Sequence, residues 1–317
     1  MALTFRKLRI WNTGAFLLQL LAGVAILILS DGNERAKLPW YTFFVQSWGN
    51  DTPEEQAGFY VPLGKKVASF PVGIWCGAFL LLSAADHLLV ILPGINAIYN
   101  RYACLNRNPF RWAEYAVSAG LMSVMIAQLC GVTDIHLLFA MFSLMASTQL
   151  FGWQMELSNG TALPCFAYTS DSRAPPALLR GKHDDGFPAP TGEVPSAFIT
   201  DGTYEGSGVA GEAPRSHRVD WTPLVLGCWP FLAVQLITAC YFFQAVAKGD
   251  PPTFVWSLFF ILFVLYALFA VNMWLQFKQV RGWRGFAKAE WWYILLSLTS
   301  KQLLAWITYG GTKRLES

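Results

Sequence analysis

Charged side chains are scarce in this chain of 317 residues, because Asp, Glu, Lys and Arg together make up only 14% of it. Apolar residues make up 54%, and the mean hydropathy is positive. Soluble globular domains carry about 25% charged residues, so this composition predicts a polytopic membrane protein. The net charge of +3 is too small to indicate a nucleic-acid partner.

Metal-binding patterns are also missing. The six cysteines form no C-x-x-C pair and show no Cys/His spacing typical of zinc. The sequence therefore predicts neither a disulfide framework nor a metal site.

Seven hydrophobic runs have the roughly 17 to 25 residues that a helix needs to cross a bilayer. The first run is too long and too poorly followed by small residues to be a cleaved signal peptide, so we expect a retained helix. The sequence predicts an all-α membrane protein, a seven-transmembrane-helix bundle. Its spans cover residues 10–30, 70–93, 110–130, 135–157, 221–246, 254–277 and 291–309.

Two long connections differ from the spans. Residues 31–69 contain two β-prone stretches, 40–45 and 58–61, around a turn-rich centre, which predicts a small β-hairpin on the membrane surface. Residues 158–220 are rich in Gly, Pro, Ser and Asp and predict a disordered insertion. The chain thus divides into residues 1–157 with four helices, the insertion, and residues 221–317 with three helices and a short tail.

Basic residues predict the orientation. If the N-terminus is cytoplasmic, the short cytoplasmic segments hold ten Lys and Arg residues against three in the short external ones. The positive-inside rule therefore favours a cytoplasmic N-terminus and an extracytoplasmic C-terminus. In this orientation the 31–69 loop is external and the 158–220 insertion is cytoplasmic.

The last span has a lysine, Lys301, in its middle and no acid beside it. A charged side chain there costs at least about 2.5 kcal/mol, so it needs a partner or a function. Burial favours the neutral amine, which condenses with aldehydes. The alternative is a structural ion pair with an acid of another helix.

Other polar residues lie at a similar depth. Glu114, the only acid inside the third span, and His87 in the second span are both roughly 9 Å from the cytoplasmic boundary. Ser83 is one turn from His87, and Ser297 is one turn from Lys301. The five residues predict a polar cluster around the lysine. Glu156, at the end of the fourth span, is interpreted as solvated, and Asn272 and Gln276 as packing residues.

Taken together, these motifs resemble the heliorhodopsins, a family of inverted seven-helix retinal proteins related to microbial rhodopsins. The resemblance covers the membrane core and excludes the insertion. The matching segments are Ser83-Ala-Ala-Asp-His87, Arg111-Trp-Ala-Glu114-Tyr115, Leu150-Phe-Gly152 with Glu156, Asn272-Met-Trp-Leu-Gln276, and Ser297-Leu-Thr-Ser-Lys301 with Ala305-Trp306.

The resemblance implies all-trans retinal bound covalently to Lys301 as a Schiff base, with Glu114 as the counterion. Ser83, His87 and Ser297 would form the polar network beside it, and Met122 would line the polyene. It also implies a homodimer in the lipid bilayer, a photoreceptor rather than an enzyme, and a cytoplasmic signalling partner. The chain departs from the family pattern at two positions: Ser30 lies in the region where the family often has a further histidine, and Met145 lies where asparagine is common. These departures bear on the proton acceptor and on the absorption colour, not on retinal binding.

Three functions stay open at this point. A light sensor is favoured, because the outer half of the spans holds no Asp or Glu that could complete a proton pump. A light-gated passive proton conductance is the alternative. A retinal-free transporter or scaffold, in which Lys301 and Glu114 only pair, is the third.

Overall fold

The structure is a computed structural model that describes residues 5–30, 37–47, 61–160, 218–280, 283 and 286–316. Eight helices and two strands are present in these ranges. They are α1 (Phe5–Leu29), β1 (Lys37–Ser47), β2 (Val61–Pro71), α2 (Val72–Ile91), α3 (Pro93–Cys104), α4 (Pro109–Leu129), α5 (Ile135–Asn159), α6 (Thr222–Lys248), α7 (Thr253–Phe277) and α8 (Phe286–Glu316).

Seven of the helices correspond to the predicted spans, which confirms the fold class. Five of them, α1, α2, α5, α6 and α7, are long and apolar enough to cross a membrane by length and composition alone. The other two, α4 and α8, carry Arg111, Glu114 and Lys301. Those charges lower the hydropathy of the two helices that hold the predicted site.

Most helices pack against their neighbours in the sequence. The pairs α1–α2, α4–α5, α5–α6 and α7–α8 make the main contacts, and α8 also packs against α1 and α2. Consecutive spans therefore run in opposite directions. We call the end where α4 begins the Arg111 end and the opposite end the hairpin end.

The predicted β-hairpin is confirmed. The strands β1 and β2 pair antiparallel, with Lys37 opposite Pro71 and Phe44 opposite Leu63. The hairpin is fixed to the start of α5, because the Tyr41 amide donates to the Thr133 carbonyl at 2.9 Å and Thr42 Oγ1 lies 3.0 Å from His136 Nε2. The strands are longer than predicted, and residues 58–60 lie outside the described ranges.

Two helical segments differ from the prediction. The short helix α3 was not predicted, because Pro93-Gly94 and its polar residues look like the end of a span. The helix α8 continues to Glu316 instead of ending at residue 309. Its Gly311 packs so tightly against α7 that an added Cβ would lie 2.3 Å from the Phe254 ring.

Candidate functional site

The centre of the site is the ammonium group of Lys301, whose residue is 2% exposed. Its Nζ lies 2.8 Å from Oε1 and 3.0 Å from Oε2 of Glu114, so α8 and α4 are joined by a buried ion pair. The aromatic ring of Tyr115 lies 5.2 Å from the same Nζ. A buried charge pair of this kind is stable only if hydrogen bonds satisfy its remaining lone pairs and protons.

Two serines supply such bonds. Ser83 Oγ on α2 donates to Glu114 Oε1 at 2.5 Å, and Lys301 Nζ donates to Ser297 Oγ at 2.9 Å. Both serines are buried. Four of the residues predicted from sequence depth therefore lie in direct contact, although they come from three helices.

His87 is close to this group but makes a different bond. Its Nδ1 lies 2.8 Å from Oδ1 of Asn12 on α1. Because the Asn12 amide nitrogen donates to the Leu8 carbonyl, its oxygen is left to accept, which makes His87 Nδ1 the donor. Asn12 was not predicted as part of the site.

A cavity opens beside Lys301. Its empty volume is about 810 Å³, including the part that opens to the outside. Met122 and Met145, each 1% exposed, form part of its wall. Most of the other lining side chains are aromatic or small: Trp112, Tyr115, Ser118, Gly152, Gly227, Phe231, Tyr266 and Phe269.

The walls of this cavity fit an apolar polyene that is attached to the lysine amine. Small-molecule sites combine apolar walls with a few polar groups, as this cavity does. The Tyr266 hydroxyl is buried without a hydrogen-bond partner among the described residues. Lys301 is the primary amine among the lining residues. The single lysine amine and the apolar, aromatic lining therefore fit retinal.

The interpretation of Glu156 as a solvated residue is wrong. Glu156 is 0% exposed and forms an ion pair with Arg111, which also pairs with Glu290. The Asn108 amide donates to Glu156 Oε2 at 2.8 Å, and its Nδ2 donates to Glu290 Oε1 at 2.6 Å. We call Arg111, Glu156 and Glu290 the Arg111 cluster.

The Arg111 cluster lies one helical turn from the Lys301 pair, because Arg111 precedes Glu114 by three residues on α4. The Arg111 guanidinium lies 3.9 Å from the centre of the Tyr293 ring, and Tyr115 Oη donates to the Tyr293 carbonyl at 2.9 Å. The two charged groups are thus connected through packed aromatic residues. The sequence does indicate this cluster, because an arginine inside a membrane span needs acidic partners at the same depth in the membrane.

Neighbouring polar groups also form hydrogen bonds with the C-terminal end of α5, next to the Arg111 cluster. Arg107 Nη2 donates to the Leu157 carbonyl at 2.8 Å, and burial lowers the pKa of Arg107 while Glu156 opposes this shift. The Asn159 side chain accepts from the Asp220 amide at 2.8 Å and donates to its carbonyl at 3.0 Å. Asn159 therefore joins the end of α5 to the start of α6.

The seven spanning helices, with a buried lysine on the last of them, define the class of the protein as a rhodopsin-like integral membrane protein with several passes. A similar solved structure is the crystal structure of cyanorhodopsin from the cyanobacterium Tolypothrix sp. NIES-4075. It is 12% identical, with a TM-score of 0.53, and the match covers 95% of this chain and 92% of that chain. At this identity the likeness shows the fold.

The family follows from the sequence. The Heliorhodopsin family model matches residues 8–169 and 207–313, which is most of the chain. The protein belongs to the heliorhodopsin family and is therefore a retinal protein of the photoreceptor type. No curated protein matches the sequence.

Proposed function

We propose that the protein is a light sensor in which all-trans retinal is covalently bound to Lys301 and Glu114 is the counterion. The observation that carries this proposal is the buried Lys301–Glu114 pair, whose lysine lines an apolar cavity. Retinal bound through an imine supplies light absorption and isomerisation about a double bond.

The residues around Lys301 have separate roles in this proposal. Glu114 holds the positive charge at the Lys301 nitrogen, and Ser83 and Ser297 fix the positions of the carboxylate and the nitrogen. Met122 and the aromatic walls exclude water and orient the polyene. His87 and Asn12 form a second hydrogen-bonded polar group on the α1 side of the Lys301–Glu114 pair.

Movement of the nitrogen away from Glu114 changes the proton affinity of the carboxylate, because the two groups are electrostatically coupled. We infer that protons then move within the polar groups at the Arg111 end. Apart from Glu316 at the end of α8, the described helices hold no acid within their hairpin-end halves. A vectorial pump needs proton-binding groups on both sides of the nitrogen, so we infer signalling without active transport.

The orientation and the partners belong to the same proposal. Positive charges at the Arg111 end favour its placement in the cytoplasm, with the hairpin outside. A cytoplasmic signalling partner would then contact the Arg111 end, and the protein would form a homodimer in the bilayer.

The test is reconstitution of the purified chain with all-trans retinal. We expect a coloured product, and mass spectrometry after borohydride reduction should locate the adduct on Lys301. Lys301→Ala should stay colourless. Lys288→Ala, which removes a lysine near the start of α8 outside the cavity, should form the pigment normally. A properly folded preparation without an adduct at Lys301 would contradict the proposal.

Electrical recording separates sensing from conductance. A sensor should give only a transient charge movement under voltage clamp in the light. A sustained, light-dependent proton current that follows the electrochemical gradient would instead identify a passive proton conductance.

A further inference from the structure

Tyr115 on α4 lies against the positive nitrogen of the site. The residue is 6% exposed, and it forms part of the cavity wall. Lys301 Nζ lies over the face of the Tyr115 ring, 5.2 Å from its centre. In the proposed retinal-bound protein the same Nζ is the Schiff base nitrogen, so the ring faces the atom that would carry the positive charge.

The face of an aromatic ring attracts a cation, because the π electrons give that face a negative electrostatic potential. The attraction is significant within about 6 Å of the ring centre and is strongest where water is excluded. Lys301 meets both conditions, because its Nζ is 5.2 Å away and the residue is 2% exposed. Tyr115 is therefore placed to stabilise a positive charge without carrying a negative one.

Three neighbours hold the Tyr115 ring in this orientation. Its Oη donates to the Tyr293 carbonyl at 2.9 Å. The rings of Trp112 and Phe269 pack edge-to-face with the Tyr115 ring, with their centres 6.0 and 5.5 Å away. The hydrogen bond fixes the position of the ring, and the two ring contacts fix its tilt, so its face stays directed at the nitrogen.

The same arrangement is present at the Arg111 cluster. The Arg111 guanidinium lies over the Tyr293 ring, 3.9 Å from its centre, in addition to its ion pairs with Glu156 and Glu290. Lys301 and Arg111 thus each combine carboxylate partners with the face of a tyrosine ring. This recurrence favours an electrostatic role for the rings over packing alone.

The hydrogen bonds of Lys301 suit a free ammonium better than a Schiff base. The ammonium has three N–H bonds, and Nζ donates to Glu114 Oε1, Glu114 Oε2 and Ser297 Oγ. Condensation with an aldehyde releases water and leaves one N–H bond on the positive nitrogen. Attraction to a ring face does not depend on the number of N–H bonds, so the share of Tyr115 in stabilising the charge rises once retinal is bound.

We propose that Tyr115 is a second electrostatic partner of the Lys301 nitrogen, beside Glu114. The face of its ring stabilises the positive charge in the dark. It thereby raises the excitation energy of the chromophore, because light absorption moves positive charge away from the nitrogen. This role in colour rests on the proposed function, whereas the contact between the ring and the ammonium does not.

Unfolding of the retinal-free protein in mixed micelles with dodecyl sulfate tests the contact itself. Tyr115→Phe keeps the ring face and Tyr115→Leu removes it, so the attraction is part of the difference between their unfolding equilibria. That difference should be about two- to thirtyfold larger in the parent than in a Lys301→Met, Glu114→Gln background, which lacks both charges. Equal differences in the two backgrounds would overturn the proposal.

Phe269→Leu is the matched control. Phe269 belongs to the same cavity wall and packs against Tyr115, but among the described residues Tyr115 is the ring that the Lys301 nitrogen faces. Removal of the Phe269 ring should therefore have the same effect in both backgrounds, within about twofold. A charge-dependent effect at 269 as large as that at 115 would assign both to packing and would contradict the proposed contact.

Absorption spectroscopy tests the role in the retinal-bound protein. Tyr115→Phe should keep the absorption maximum of the parent, because the ring face is unchanged. Tyr115→Leu should shift the maximum to the red, in the same direction as Glu114→Gln but by less, because a ring face holds less negative charge than a carboxylate. The role in colour is refuted if Tyr115→Leu and Tyr115→Phe absorb at the same wavelength.

The measurements separate this inference from the proposed function. Absence of an adduct at Lys301 would contradict the proposed function and leave the retinal-free comparison intact. An adduct at Lys301 together with equal differences in the two backgrounds would contradict the role of Tyr115 and leave the proposed function in place.

Discussion

Replacement of Arg111 with glutamine should destabilise the protein much more than replacement of Glu156 with glutamine. The Arg111 side chain is the cation between Glu156 and Glu290, and all three residues are at most 4% exposed. The two substitutions change the same ion pair, but they leave different groups behind.

The magnitudes follow from what is left unpaired. Without Arg111, two buried carboxylates face each other, and breaking a buried pair in this way costs about 3 to 5 kcal/mol. In Glu156→Gln, Arg111 still forms its ion pair with Glu290, and the new glutamine oxygen can still accept a hydrogen bond from Arg111. The loss is then one charge-assisted hydrogen bond, about 1.5 to 3 kcal/mol at most.

The difference of about 2 kcal/mol corresponds to roughly 30-fold in the unfolding equilibrium. It can be measured by unfolding the variants in mixed micelles with increasing dodecyl sulfate, followed by circular dichroism. Gln154→Ala changes an exposed residue on the same turn of α5 as Glu156 and serves as the control, with an expected change below about 0.5 kcal/mol. Equal destabilisation by the Arg111 and Glu156 substitutions would refute this reasoning.

Further predictions concern the site and the packing. Glu114→Gln should shift the absorption of the retinal-bound protein to the red, because the negative charge that stabilises the dark state is lost; an unchanged spectrum would exclude Glu114 as the counterion. Gly152→Leu should cost about 1 to 3 kcal/mol and alter the spectrum, because even a Cβ at 152 would lie 2.4 Å from the Trp112 ring in the cavity wall. Thr42→Val should change stability by less than about 0.5 kcal/mol, because its bond to His136 is exposed, and thermal unfolding checks this. An epitope after residue 317 should be accessible to antibody on intact cells if the C-terminus is extracytoplasmic.

The spans were predictable because length and hydropathy determine which segments cross a bilayer. The contacts of Lys301 were predictable for a related reason. The rise of 1.5 Å per residue converts a position in a span into a depth, and Glu114, Ser83 and Ser297 fall at compatible depths. Depth alone did not show which group His87 contacts, because that depends on the rotation of α1, which carries Asn12.

The errors arose where tertiary contacts override local patterns. Glu156 lies at the end of a span, where an acid is normally solvated, but its cation is Arg111, 45 positions away. Glu290 immediately precedes the apolar run of α8 and therefore looked like part of the connection. The helix α3 is too short and polar to be predicted from hydropathy, yet its Tyr99 donates to Glu290 at 3.2 Å.

Apart from Glu316 at the end of α8, the acids inside the described helices lie on the Arg111 side of Lys301. This asymmetry connects the site to the rest of the bundle. Any change of charge at Glu114 is felt at Arg111, one turn away, where the dielectric response is weak and interactions are strong. Arg111 in turn holds α5 through Glu156 and α8 through Glu290. A proton that moves near Lys301 therefore alters the forces between three helices at the end where α5 and α6 meet, and we expect the conformational signal to appear there rather than at the hairpin.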